Sequence, residues 1–247
     1  MTMPKTLTKS AEKRITEDWH GEIPSMGIYQ PRWLLRRVGP ILEGICLDRD
    51  SGGDAYKPIF HVHLLAREFP CVSLTLGTQL RSERSGGPDF VQVRWHAEKY
   101  EDAAKRMIRQ SLLPLEGDLS LGELIQAYRD HLVTPMGRLQ PVLLYFDIII
   151  LLAWARDSAS ARDVLAECMK IKSGPRNVAI NRIEGGKVVQ KRTHMLQDPE
   201  FGHVGGRENF EATCQRVIEN PAEIQQTVDS QISALGVDHL PVSKLIV

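Results

Sequence analysis

His61 and His63 stand one residue apart in the run FHVHLLARE, Phe60 to Glu68. Side chains alternate faces along an extended strand, so both imidazoles project from one face, about 7 Å apart. Two imidazoles so placed can chelate a divalent ion together with a third ligand and leave a position open to activate water. That is the chemistry of a metal-dependent hydrolase. Glu68 and His96 are candidate partners for the pair, with His20 and Glu43 as further options. The plainer reading, that the pair lies on the wetter face of a half-buried strand and hydrogen-bonds to its neighbours, is favoured. Lone histidine pairs more often serve structure than chemistry.

The spacing H-x-H-x4-E is that of the core of the first cupin motif. The flanking glycines of that motif and its second half are absent, so no family follows from it. The sequence holds no GxxxxGK[ST], no GxGxxG after a strand, no GxSxG and no HExxH. Asp48 and Asp50 run into Ser51-Gly52-Gly53-Asp54, which is turn chemistry before it is a cation site. No catalytic residue can be named from these patterns.

The second chemically distinctive stretch is KSGPRNVAINRIEGGKVVQKRTHMLQDPEFGHVGGR, residues 172 to 207. From Lys172 to Met195 it carries Lys172, Arg176, Arg182, Lys187, Lys191 and Arg192 against Glu184 alone. NVAINRI and KVVQKRT are β-like runs joined by Glu184-Gly185-Gly186, and a Gly-Gly pair there signals a hairpin. A projecting basic hairpin can dock on an acidic protein or follow a phosphate backbone. Arg176, Arg182, Lys187, Lys191 and Arg192 are its candidate contact residues. Arg36 and Arg37, beside Trp33, would extend the patch if the fold brought them near. With no aromatic residue between the charges, a stacking platform for single strands is disfavoured.

These features sit in an ordinary globular composition. The 247 residues carry 31 Lys plus Arg and 31 Asp plus Glu, so any electrostatic preference must be local. The four cysteines are scattered without a CxxC, which suits a reducing compartment. The N-terminus has no apolar core of a secretory signal, and the run Val142 to Ala155 is too short to span a bilayer. A cytoplasmic protein that makes no membrane contact is expected.

Elements follow from periodicity. Leu7, Ala11 and Ile15 make the stripe of a surface helix. ILEGICLDRD, KPIFHVHLLA and CVSLTLGTQL read as antiparallel strands, with FVQVRWH as a possible fourth. In CVSLTLGTQL, Val72, Leu74 and Leu76 would form its apolar face. Beyond Ala97 the period becomes helical. Ser120 with Glu123 forms a capping-box pattern, and Pro221 and Gly236 fit a helix start and stop. The expectation is an α+β fold, either in two parts, a helix and antiparallel sheet over 1–96 and a mainly helical 97–247 with the hairpin at 172–207, or as one single compact domain. The expected function is non-enzymatic binding of another protein, as a subunit or accessory of an assembly or as an immunity-type neutraliser, without a cofactor. The alternatives are nucleic-acid binding through residues 176–192, or a hydrolase with a divalent metal at His61 and His63.

Overall fold

The computed structural model describes residues 7–171, 176–184, 187–196 and 201–247, with the spans 176–184 and 187–196 given by backbone alone. The fold is α+β, with an antiparallel sheet in the N-terminal half and helices in the C-terminal half. It forms two compact units, Met1–His131 with Ile224–Val247, and Leu132–Glu223.

In the first unit, helix α1 (Lys9–Glu22) is capped by Thr8, whose hydroxyl accepts from the Ala11 N–H. Its expected stripe is realised: Leu7, Ala11 and Ile15 are buried, and Trp19 extends it by one more turn. Strands β1 (Gly27–Gln30), β2 (Trp33–Val38), β3 (Ile41–Arg49), β4 (Ala55–Leu64) and β5 (Thr75–Gln79) follow in sheet order, all neighbours antiparallel. The patch WLLRRV is therefore the strand β2. The loop between β3 and β4 is a turn, with Gly53 at φ 71° donating to the Asp50 carbonyl at 3.2 Å.

Two expected strands are shorter than their sequences suggest. β5 begins only at Thr75; Leu74 is exposed and Leu76 sits at φ 54°. The apolar face of Val72, Leu74 and Leu76 is not formed: Leu76 takes a left-handed backbone, the Gly77 N–H turns back to the Leu74 carbonyl at 3.1 Å, and the Ser73 N–H bonds His63. FVQVRWH supplies only β6 (Val91–Gln92), followed by a 3₁₀ turn at Val93–Trp95 and by α2 (His96–Gln110).

β7 (Leu119–Ser120) leads into α3 (Leu121–Leu132), whose capping box is as expected: Glu123 accepts the Ser120 N–H at 3.0 Å and Ser120 Oγ accepts the Glu123 N–H at 3.2 Å. The second unit holds α4 (Pro141–Trp154), α5 (Ser158–Met169), strands β8 (Arg176–Glu184) and β9 (Lys187–Leu196), and α6 (Arg207–Glu219). In it Phe210 packs on Phe146 and Phe201 at centroid distances of 5.7 and 5.4 Å. α7 (Pro221–Leu235) starts on its proline and stops at Gly236, φ 63°. β10 (Val242–Ser243) then pairs with β2, and β11 (Leu245–Ile246) with β7, both in parallel.

Directly paired residues of an antiparallel sheet share a face. The register therefore sets Arg36, Glu43 and Val62 on one face and Arg37, Leu42 and His63 on the other. His61 lies with His63, opposite Gly44. This division decides which candidate residues can meet.

Candidate functional site

His61 and His63 do share a face, but that face is closed: the two are 0% and 1% exposed. His63 Nδ1 receives the Ser73 backbone N–H at 3.1 Å and lies 3.0 Å from the Ser73 hydroxyl. A backbone N–H only donates, so Nδ1 is the bare nitrogen and Nε2 carries the proton. A metal on Nε2 would need that proton to move to Nδ1, where the Ser73 N–H already stands. Burial holds His63 neutral, pushed down to about 4, and His61 further, to about 3. His61 meets the edge of Trp33 at a centroid distance of 5.2 Å.

The expected third ligands stand elsewhere. Glu43 pairs with Val62 and so lies across the sheet. His96 bonds Tyr56, which also belongs to Val62's face by the β4 alternation. Glu68 is exposed in the segment after β4, and His20 lies on α1. Among the described residues, no three His, Cys, Asp or Glu side chains gather as a metal would require.

The register shows something the sequence did not. Arg37 Nε, both His61 ring nitrogens, His63 Nε2 and Gln79 Nε2 are buried without a hydrogen-bond partner. All lie on the His61 face, since Gln79 pairs with Ile59 and Arg37 with Leu42. Each such orphan costs about 1–3 kcal/mol. The sheet therefore carries a row of buried polar groups on one face, visible only once strand register is known.

On the opposite face, His96 belongs to a relay. Trp19 Nε1–H donates to Tyr56 Oη at 3.0 Å, Tyr56 Oη lies 2.8 Å from His96 Nδ1, and His96 Nε2 lies 3.0 Å from Asp18 Oδ2. The chemically consistent order is Tyr56 donating to Nδ1 and Nε2–H donating to the carboxylate. Tyr100 stacks on the ring at 4.8 Å. Burial lowers the His96 pKa while the Asp18 hydrogen bond and charge work the other way. Tyr56 is wholly buried and its pKa is raised by that burial. The Oη therefore has no route to a substrate, and the relay fastens α1, β4 and α2 together.

Of Arg36 and Arg37, the expected extension of the basic patch, Arg36 is enclosed by the protein and 0% exposed. Its Nε and Nη2 bond Glu43 Oε2 at 2.8 and 2.7 Å, Nη1 bonds the Gly117 carbonyl and Ser243 Oγ, and Nη2 bonds the Pro114 carbonyl. All five guanidinium donors are committed inside the protein. Burial raises Glu43 to about 7 despite Arg36. Arg37 is partly buried, with its Nε turned into the sheet face described above. Neighbouring Arg32 is held to Glu12 at 3.3 Å. Arg36 therefore adds nothing to a basic surface around Trp33.

The hairpin is present. β8 and β9 pair antiparallel from Arg176 opposite Leu196 to Glu184 opposite Lys187, and among the described residues neither pairs with any other strand. Its turn residues Gly185 and Gly186, and the side chains of Arg176, Arg182, Lys187, Lys191 and Arg192, lie outside the described residues. The neck is held: Arg207 donates to the Met169 and Ile171 carbonyls at 2.7 and 2.8 Å, with its guanidinium 4.3 Å over Phe201. Arg207 thereby ties the start of α6 to the end of α5, on either side of the insertion.

Comparison with family models, with curated proteins and with solved structures finds no match for this chain.

Proposed function

We propose that this chain works by binding another protein, an acidic one, through hairpin β8–β9. It would serve as a subunit or accessory of an assembly, or as a neutralising protein of the immunity type. The observation that carries this reading is that the basic hairpin forms a two-stranded sheet of its own among the described residues. A two-stranded hairpin is marginal in water, so a second surface that completes it adds stability as well as specificity. The concentration of Lys and Arg in a neutral chain supplies steering and register toward acidic groups.

The cytoplasm is the proposed place of work, supported by four cysteines that are all free thiols. Among the described residues no helix is long and apolar enough to cross a membrane. A hydrolase at His61 and His63 is not favoured, since the Ser73 contact fixes the wrong tautomer for a ligand.

The test is affinity capture from the expressing cells with wild type and with the Lys191→Glu/Arg192→Glu variant. The reading expects an acidic protein held by wild type, released by salt and missing from the variant. Capture of nucleic acid instead, or an identical set of proteins on both baits, would overturn it.

A further inference from the structure

Hairpin β8–β9 has two outer edges, and they are not alike. β9 carries Lys187, Lys191 and Arg192 with no acid. It also holds the irregularity of the pair: Arg182 stands opposite Gln190 and Ile183 opposite Val188, so Val189 is the extra residue. Lysines and bulges are the devices that keep an edge strand from pairing with another chain. β8 has neither. Its register is continuous, and Asn177-Val178-Ala179-Ile180-Asn181 is uncharged.

We propose that the β8 edge is an interface and that its occupant is a second copy of this chain. Laid antiparallel about Ile180, β8 places Arg176 opposite Glu184 at both ends. Asn177 then faces Ile183, Val178 faces Arg182, and Ala179 faces Asn181. The acid of β8 thus meets a base of its copy twice, the self-complementarity that a two-fold interface demands. The same operation on β9 sets Lys191 against Arg192, which repels. The product is a four-stranded sheet in the order β9–β8–β8–β9, beyond the size at which hairpins are marginal. Its two basic β9 strands lie three spacings apart, about 14 Å, and the Debye length at physiological salt is about 8 Å, so screening leaves little repulsion between them.

This inference shares the hairpin with the proposed function but not the partner. Sedimentation equilibrium of the full chain at physiological salt tests it. Wild type is expected to show a concentration-dependent dimer. Arg176→Glu alone or Glu184→Arg alone sets like charges opposite one another twice and weakens the dimer about tenfold. An equimolar mixture of the two variants restores wild-type association, because each hybrid pair again matches acid to base. A wild type that stays monomeric, a dimer indifferent to both variants, or a mixture no tighter than its components would overturn the proposal. Lys191→Glu/Arg192→Glu separates the two readings: it removes the acidic partner and leaves the dimer.

Discussion

The backbone N–H of Ser73 donates to Nδ1 of His63 at 3.1 Å, and this one bond joins the fate of a strand to that of an imidazole. It holds the segment just before β5 against β4 and fixes the neutral His63 ring with its proton on Nε2. Long-range proton–nitrogen NMR is expected to show this tautomer from pH 5 to pH 8, unchanged by added zinc. A shift to the Nδ1–H form on adding metal would contradict the assignment.

His61 has two buried ring nitrogens without partners, so replacing it with an apolar ring should help the fold. His61→Phe is expected to raise stability by about 1–3 kcal/mol at pH 7 in urea denaturation. The sign of the pH effect follows from linkage. The unfolded imidazole takes its proton near pH 6.5, whereas the folded one resists until about 3. Wild type therefore loses stability as pH falls below 6.5, by about 1.4 kcal/mol per unit for this group. The advantage of His61→Phe should widen at that rate between pH 6 and pH 4. A constant gap would show that His61 does not resist protonation.

Glu43 behaves oppositely. Its folded pKa, about 7, lies above the ordinary 4.5, so the stability it contributes is full below pH 4.5 and is lost as pH rises through 7. Glu43→Gln should flatten that part of the stability curve. Arg36→Met should cost about 3–5 kcal/mol, since it breaks a buried pair and strands Glu43 together with the Pro114 and Gly117 carbonyls. Arg36→Met/Glu43→Leu should recover only part of this, because the Pro114 and Gly117 carbonyls still lose their donor. Full recovery in the double variant would mean that those two carbonyl contacts contribute nothing.

Tyr56→Phe removes the oxygen between Trp19 and His96 and strands a partner on each side. A loss of about 1–3 kcal/mol per stranded group is expected from thermal or urea unfolding. A neutral outcome would show the relay to be a geometric coincidence.

The fold was largely legible because its signals are local. The Leu7–Ala11–Ile15 stripe, the Ser120–Glu123 box, Pro221 and Gly236 each act within a few residues and each is realised, and the two runs on either side of the Gly-Gly pair do form paired strands. The site was less legible because it depends on register between strands far apart in sequence. Nothing in WLLRRV reveals that Arg36 reaches Pro114, Gly117 and Ser243 while Arg37 turns to the other face. Nor does CVSLTLGTQL announce that Ser73 will abandon the ladder for His63, because that competition exists only after β4 is placed. The one readable clue was parity along β4, which correctly sets His61 beside His63.

The function proposed for hairpin β8–β9 is to meet an acidic protein. The most direct measurement is a photo-crosslinking residue in place of Gln190, between Lys187 and Lys191 on β9, activated in the expressing cells. One dominant crosslinked protein of acidic composition is expected, lost when Lys191 and Arg192 become Glu. Crosslinks to nucleic acid, or a crosslink pattern that survives the charge reversal, would contradict it.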